Sequence, residues 1–108
     1  MGSVLEVTET NFVETVVKSD IPVLVDFWSP TCQPCRLLAP VIDALASENN
    51  GEYKFAKINV YDAPQVGAQY GVDMLPTILF FHNGRVVERM LGVQDKDKLQ
   101  ETLDEITR

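Results

Sequence analysis

Hydrophobic and polar residues follow two rhythms along this chain, and the order in which the rhythms change predicts its architecture. Val4–Val7 is a short apolar run suited to an edge strand. Phe12, Val13, Val16 and Val17 then recur at helical spacing. Asn11 stands where a helix cap would sit, with Glu14 three residues on, so a capping box is expected there. From Pro22 to Trp28 nearly every residue is apolar and valine is frequent. That is the pattern of a central strand buried on both faces. A second helix is expected to begin at or near Cys32, with Pro34 in its first turn. Leu38, Val41, Ile42, Leu45 and Ala46 form its inner stripe, Pro40 should kink it, and Asn49-Asn50-Gly51 ends it.

Tyr53–Val60 reads as a third strand. Asp62-Ala63-Pro64-Gln65 has the form of a capped start to a short helix reaching about Tyr70, where Gly71 stops it. Thr77–His82 and Arg85–Leu91 are strands joined by Asn83-Gly84, the strongest short hairpin signal. Asp95–Arg108 is a closing helix with Leu99, Leu103 and Ile106 on one face. Strand–helix–strand units require right-handed parallel crossovers, and the hairpin adds an antiparallel edge. The expectation is an α/β fold, a mixed sheet with helices on both faces. A length of 108 residues suits one domain spanning the whole chain, 1–108.

Composition narrows the function. Hydrophobic residues make up 45% of the chain, enough to cover one core. Nine basic residues against 16 acidic ones leave a net charge of −7. Nucleic acid and anionic membrane surfaces are poor partners for such a chain, because phosphate binding needs a basic face. No apolar run approaches the roughly 20 residues of a membrane span. The N-terminus lacks a basic segment followed by an apolar stretch, so no signal peptide is expected. A cytoplasmic monomer is the expectation.

The two cysteines, Cys32 and Cys35, have the spacing of a redox pair or a metal half-site. Their placement carries the argument. A buried strand ends at Trp28, a short loop follows, and Cys32 falls at a helix N-terminus, where free amides and the helix dipole favour an anion. A thiolate is the anion available, which makes Cys32 the attacking nucleophile, assisted by the positive charge of Arg36. Cys35, one turn inward, is placed to resolve a mixed disulfide. Structural zinc usually needs four ligands; the chain has one histidine, His82, and no second Cys-x-x-C, so no metal is expected. A buried inert pair is the other alternative.

Asp26 is the only charge between Pro22 and Trp28. Burial should raise its pKa and make it a proton acceptor for Cys35. The alternative is a solvated carboxylate, or one paired with Lys57 in the neighbouring strand. Pro76 opens a strand. It is either a simple strand-starting proline or a cis residue that brings its loop beside the cysteines.

Several features, in this order and at these separations, resemble the thioredoxin family over essentially the whole chain. They are Val25-Asp26-Phe27-Trp28, Cys32 and Cys35 with Pro34 between, Ala39-Pro40, Lys57, Tyr70-Gly71-Val72, Pro76-Thr77, Asn83-Gly84 and Gly92. The resemblance implies a thioredoxin fold, a five-stranded sheet in the order 1-3-2-4-5 flanked by four helices. It implies a protein-disulfide reductase that needs no cofactor beyond its own cysteine pair. Its partners would be disulfide-containing proteins and a thioredoxin reductase-like electron donor. Asp26 would be the buried proton acceptor, with Lys57 beside it. Pro76 would be cis, the backbone at Leu75 would pair with an extended peptide, and Gly92 and Val93 would complete an apolar docking surface. Trp28, Thr31, Gln33, Pro34 and Met74 belong to the same substrate-binding surface. The family usually has Trp-Cys-Gly-Pro-Cys-Lys, whereas this chain has Thr31, Gln33 and Arg36 at the variable positions. Those departures bear on potential and partner choice. The rival readings are an oxidase or isomerase, a binding module with incidental cysteines, and a zinc-bridged dimer.

Overall fold

The apolar run after Pro22 forms β2 (Val23–Trp28), the middle strand of a five-stranded sheet. The structure is a computed structural model and describes residues 3–108. β3 (Lys54–Asn59) lies parallel to β2 on one side, and β4 (Thr77–His82) antiparallel on the other. β1 (Val4–Val7) flanks β3 and β5 (Arg85–Leu91) flanks β4, so the order is β1-β3-β2-β4-β5. The helices of the described residues are a π-helical turn at Val13–Val17, α1 (Gln33–Glu48), α2 (Pro64–Gln69) and α3 (Lys96–Ile106). None of them is long and apolar enough to cross a membrane.

The sheet separates two apolar clusters. Val23, Val25 and Phe27 face one cluster with Val16 of the π-helical turn and Val66 of α2. Leu24 faces the other, with Leu38 and Ile42 of α1 and Leu99 and Leu103 of α3. This alternation is why β2 is apolar throughout: successive side chains enter opposite cores. It also assigns Asp26 to the α1 side, together with Leu24.

Two local expectations, both helix caps, are corrected. The first helix is not capped by Asn11 and Glu14. Thr8 Oγ1 accepts from the Asn11 amide at 3.3 Å and Asn11 Oδ1 accepts from the Thr8 amide at 2.7 Å, a reciprocal cap three residues earlier. Glu14 instead accepts from Lys18 at 3.0 Å. The Lys18 amide reaches back five residues to the Val13 carbonyl. This wider turn keeps Phe12 and Val16 in the core and leaves Val13, expected inside, 53% exposed. At α2, Asp62 makes no capping bond; the Gln65 amide donates to Glu9 Oε1 at 2.7 Å, a cap supplied from 56 residues away. α1 runs unbroken across Pro40, and Asn49 at its end ties Leu45 to Gln100 of α3 through its side-chain amide.

The hairpin signal is borne out in detail. Asn83 and Gly84 have φ of 56° and 81°, the paired positive values that a two-residue turn needs to match the strand twist. A Cβ on Gly84 would also meet the Val17 carbonyl oxygen at 3.2 Å. Gly84→Ala is therefore expected to destabilise the fold by about 1–2 kcal/mol, read as a lower urea midpoint with unchanged slope.

Candidate active site

The loop after β2 delivers Cys32 to the start of α1. Cys32 is the N-cap residue, in extended conformation, and its Sγ accepts from the Cys35 amide at 3.2 Å. An amide left free by the helix geometry is thus aimed at this sulfur. The two sulfurs are joined in a disulfide, with Cα atoms 5.3 Å apart. Their surroundings differ. Cys32 is half-buried, while Cys35 is 4% exposed and faces inward. The loop itself is pinned: the Cys32 amide donates to the Ser29 carbonyl at 3.2 Å, and Arg36 donates to the Pro30 carbonyl at 3.0 Å. Arg36 therefore holds the loop as well as bringing its charge close to the pair.

Behind the disulfide lies a cleft of about 320 Å³ whose walls include Asp26, Trp28, Cys35, Arg36 and Lys57. Asp26 is 4% exposed, and its Oδ1 has no hydrogen-bond partner among the described residues. Burial pushes its pKa from 3.8 up to about 7, against a smaller opposing pull from the Lys57 ammonium. The sheet register explains that pairing. Asp26 is the direct cross-strand partner of Lys57 on β3. The two share a face and a cleft, yet no ion pair joins them among the described residues. Trp28 Nε1 is likewise buried without a partner. The solvated reading of Asp26 is thereby set aside: it is buried, and it shares its cleft with Cys35.

On the other side of the disulfide loop, the Leu75–Pro76 peptide bond is cis. Thr77, next along the chain, pairs with Phe27 of β2, so this loop lies at the sheet end from which the cysteine loop departs. The Gly92 amide donates to the Pro76 carbonyl at 2.9 Å, which brings Gly92 and Val93 against the same loop. Gly92 has φ of 81°, a conformation that suits glycine. Met74 and Val93 are exposed apolar side chains there, while Thr77 Oγ1 holds the Met74 carbonyl. Thr31, Gln33 and Pro34 are exposed beside Cys32. The sequence-predicted residues thus fall into two groups at one end of the sheet, an internal set around Cys35 and an external set around Cys32.

A model of the thioredoxin family matches residues 3–105. The chain belongs to the thioredoxin family. Thioredoxin 1 of Nostoc sp. is 42% identical over 104 residues, 96% of this chain and 97% of that one. The thioredoxin of Haemophilus influenzae is 46% identical over 99 residues, 92% of each. That of Porphyra purpurea is 43% identical over 102 residues, 94% and 95% of the two chains. With the family's cysteine pair present as a disulfide, the protein is a thiol–disulfide oxidoreductase, a protein-disulfide reductase whose redox group is its own Cys32–Cys35 bond.

One part of the site escaped the sequence reading. Thr31 Oγ1 lies 3.3 Å from Tyr61 Oη and 3.5 Å from Ser29 Oγ, a chain of three hydroxyls along the rim. The available signal was Tyr61 itself, an aromatic just past the end of the strand that runs beside β2.

Proposed function

We propose that Cys32 is the attacking nucleophile and Cys35 the resolving thiol in the reduction of protein disulfides. The observation that carries this order is the unequal burial of the pair: Cys32 meets solvent at a helix N-terminus, while Cys35 faces the cleft that holds Asp26. In the reduced protein the Cys32 thiolate attacks one sulfur of a substrate disulfide. That bond breaks, a mixed disulfide forms, and the other substrate sulfur leaves as a thiolate that takes a proton from water. Cys35 then gives its proton to the Asp26 carboxylate and attacks Cys32 Sγ. The second substrate thiolate leaves, and the protein keeps the Cys32–Cys35 disulfide. Two electrons have passed from protein to substrate. The Lys57 ammonium favours the ionised form of Asp26, in which it can accept that proton.

The substrate segment docks in extended form against the backbone of Leu75 and Pro76. Met74, Gly92 and Val93 lie on one side of it, and Trp28, Thr31, Gln33 and Pro34 on the other. Met74 suits varied partners because its side chain adapts. A thioredoxin reductase-like donor returns the electrons, and a reducing compartment such as the cytoplasm keeps the dithiol form supplied. The working form is a monomer, leaving the docking face open.

The test is the reduction potential, measured by equilibration with glutathione or dithiothreitol mixtures. A value at or below about −260 mV is expected, at the reducing end of the range that such dithiol proteins span. A value above about −200 mV would make the protein an oxidant or isomerase instead.

A further inference from the structure

We propose that Tyr61 is a specificity-determining contact for protein substrates, an aromatic platform held beside Cys32 that receives an apolar side chain flanking the substrate disulfide. The inference rests on the exchange reading above and adds a residue to its docking surface.

Tyr61 is 66% exposed, the most exposed of the large hydrophobic residues on the described surface. Exposure alone means little, since single apolar residues are common on surfaces. What sets Tyr61 apart is that it has partners at both its backbone and its hydroxyl end. At the backbone end, the Val60 amide donates to the Trp28 carbonyl at 2.9 Å, extending the β2–β3 pairing to the residue before it. The Tyr61 amide donates to Asn59 Oδ1 at 3.0 Å, and the Asp62 amide to the Asn59 carbonyl at 3.1 Å, so a turn built on Asn59 fixes the chain direction. At the ring end, the hydroxyl meets Thr31 Oγ1, and Thr31 in turn meets the hydroxyl of Ser29, a buried residue.

The position of that tether decides the role. Thr31 immediately precedes Cys32, so the ring is attached to the rim of the sulfur that a substrate must approach. A tyrosine tethered there offers a large amphipathic contact area and, with only two side-chain torsions, loses little freedom on binding, which is what makes aromatic anchors effective in interfaces. Met74 and Val93 supply exposed apolar contacts from the loops beyond β4 and β5. Tyr61 supplies one from the β3 side, so a segment crossing Cys32 is held on both flanks.

On this reading a protein substrate meets Tyr61 as it docks at Cys32, whereas a small disulfide is too short to engage it. The test compares kcat/KM for the disulfides of insulin with that for bis(2-hydroxyethyl) disulfide. Tyr61→Ala is expected to lower the insulin-to-small-disulfide ratio roughly five- to tenfold, chiefly through KM for insulin. Tyr61→Phe keeps the ring and should lower the ratio by no more than about twofold; Thr31→Val, which frees the ring, should fall between the two. An unchanged ratio in Tyr61→Ala overturns the proposal. So does a Tyr61→Phe ratio as low as that of Tyr61→Ala, because the hydroxyl and not the aromatic face would then be what matters. A parent protein that reduces neither disulfide overturns the exchange reading itself, a distinct result.

Discussion

Cys35→Ser protein, reduced and mixed with a disulfide-containing protein, should accumulate a covalent complex through Cys32, while Cys32→Ser should accumulate none. Both variants should lose more than roughly a thousandfold in turnover, because each lacks a sulfur that the cycle needs. The asymmetry of the trapped product is the informative part. Cys32 is half-buried at the N-cap of α1, where the Cys35 amide already donates to its sulfur. An incoming disulfide can reach it from solvent. Cys35 is 4% exposed and lines the cleft shared with Asp26, so it presents far less of its surface to an external disulfide. Without Cys35 the mixed disulfide has no internal thiol to displace it and persists until an outside thiol arrives. Non-reducing electrophoresis followed by peptide mapping reads the result. A complex linked through Cys35 in Cys32→Ser would reverse the assigned order. Full activity in Cys32→Ser would make the fold a binding module.

The second large effect concerns Asp26 and pH. Its carboxyl titrates near 3.8 in an unfolded chain and near 7 in the fold, because burial penalises the charged form more than Lys57 relieves it. Between those values the folded protein retains a proton that the unfolded chain has released. Stability from this group therefore falls as pH rises through that window, and the loss is complete above about 7. The gap corresponds to on the order of 4 kcal/mol. Asp26→Asn removes the titration. The urea-derived stability of the parent should decline between pH 4 and pH 8 by that order more than the stability of the variant does. Parallel curves for the two proteins would mean that Asp26 titrates normally. The same variant should slow release of the mixed disulfide roughly ten- to a hundredfold at pH 7, since the proposed proton acceptor for Cys35 is gone. Normal release kinetics would detach Asp26 from the chemistry while leaving its stability effect intact. The two measurements thus separate its two roles.

Much of the site could be read from the chain because its main elements are local. A buried strand ending at Trp28, a short loop and a helix start at Cys32 lie within one stretch, so element boundaries alone put a cysteine at a helix N-terminus. Asp26 stood out as one charge in an apolar strand, and β2 is apolar because helices cover both faces of the sheet. Where the local rules failed, a partner from elsewhere had taken over. Asp62 should cap α2 by proximity, but Glu9 caps it from β1's side of the fold. Asn11 should cap the first helix, but it pairs back with Thr8, and the turn that follows is wide, with Phe12 buried.

The sequence by itself determined the strands and helices, the hairpin at Asn83-Gly84 and the redox pair, because periodicity and turn chemistry act over a few residues. Only the tertiary structure decided which side chains meet. The parallel pairing of β2 with β3 sets Asp26 opposite Lys57 and carries Tyr61 to Thr31. The antiparallel placement of β4 brings Pro76 to the cysteine end of the sheet, and the Gly92 amide fastens β5's exit to it. These contacts span tens of residues. They depend on strand order and register, which are settled by burying both faces of β2 at once and not by any short pattern in the chain.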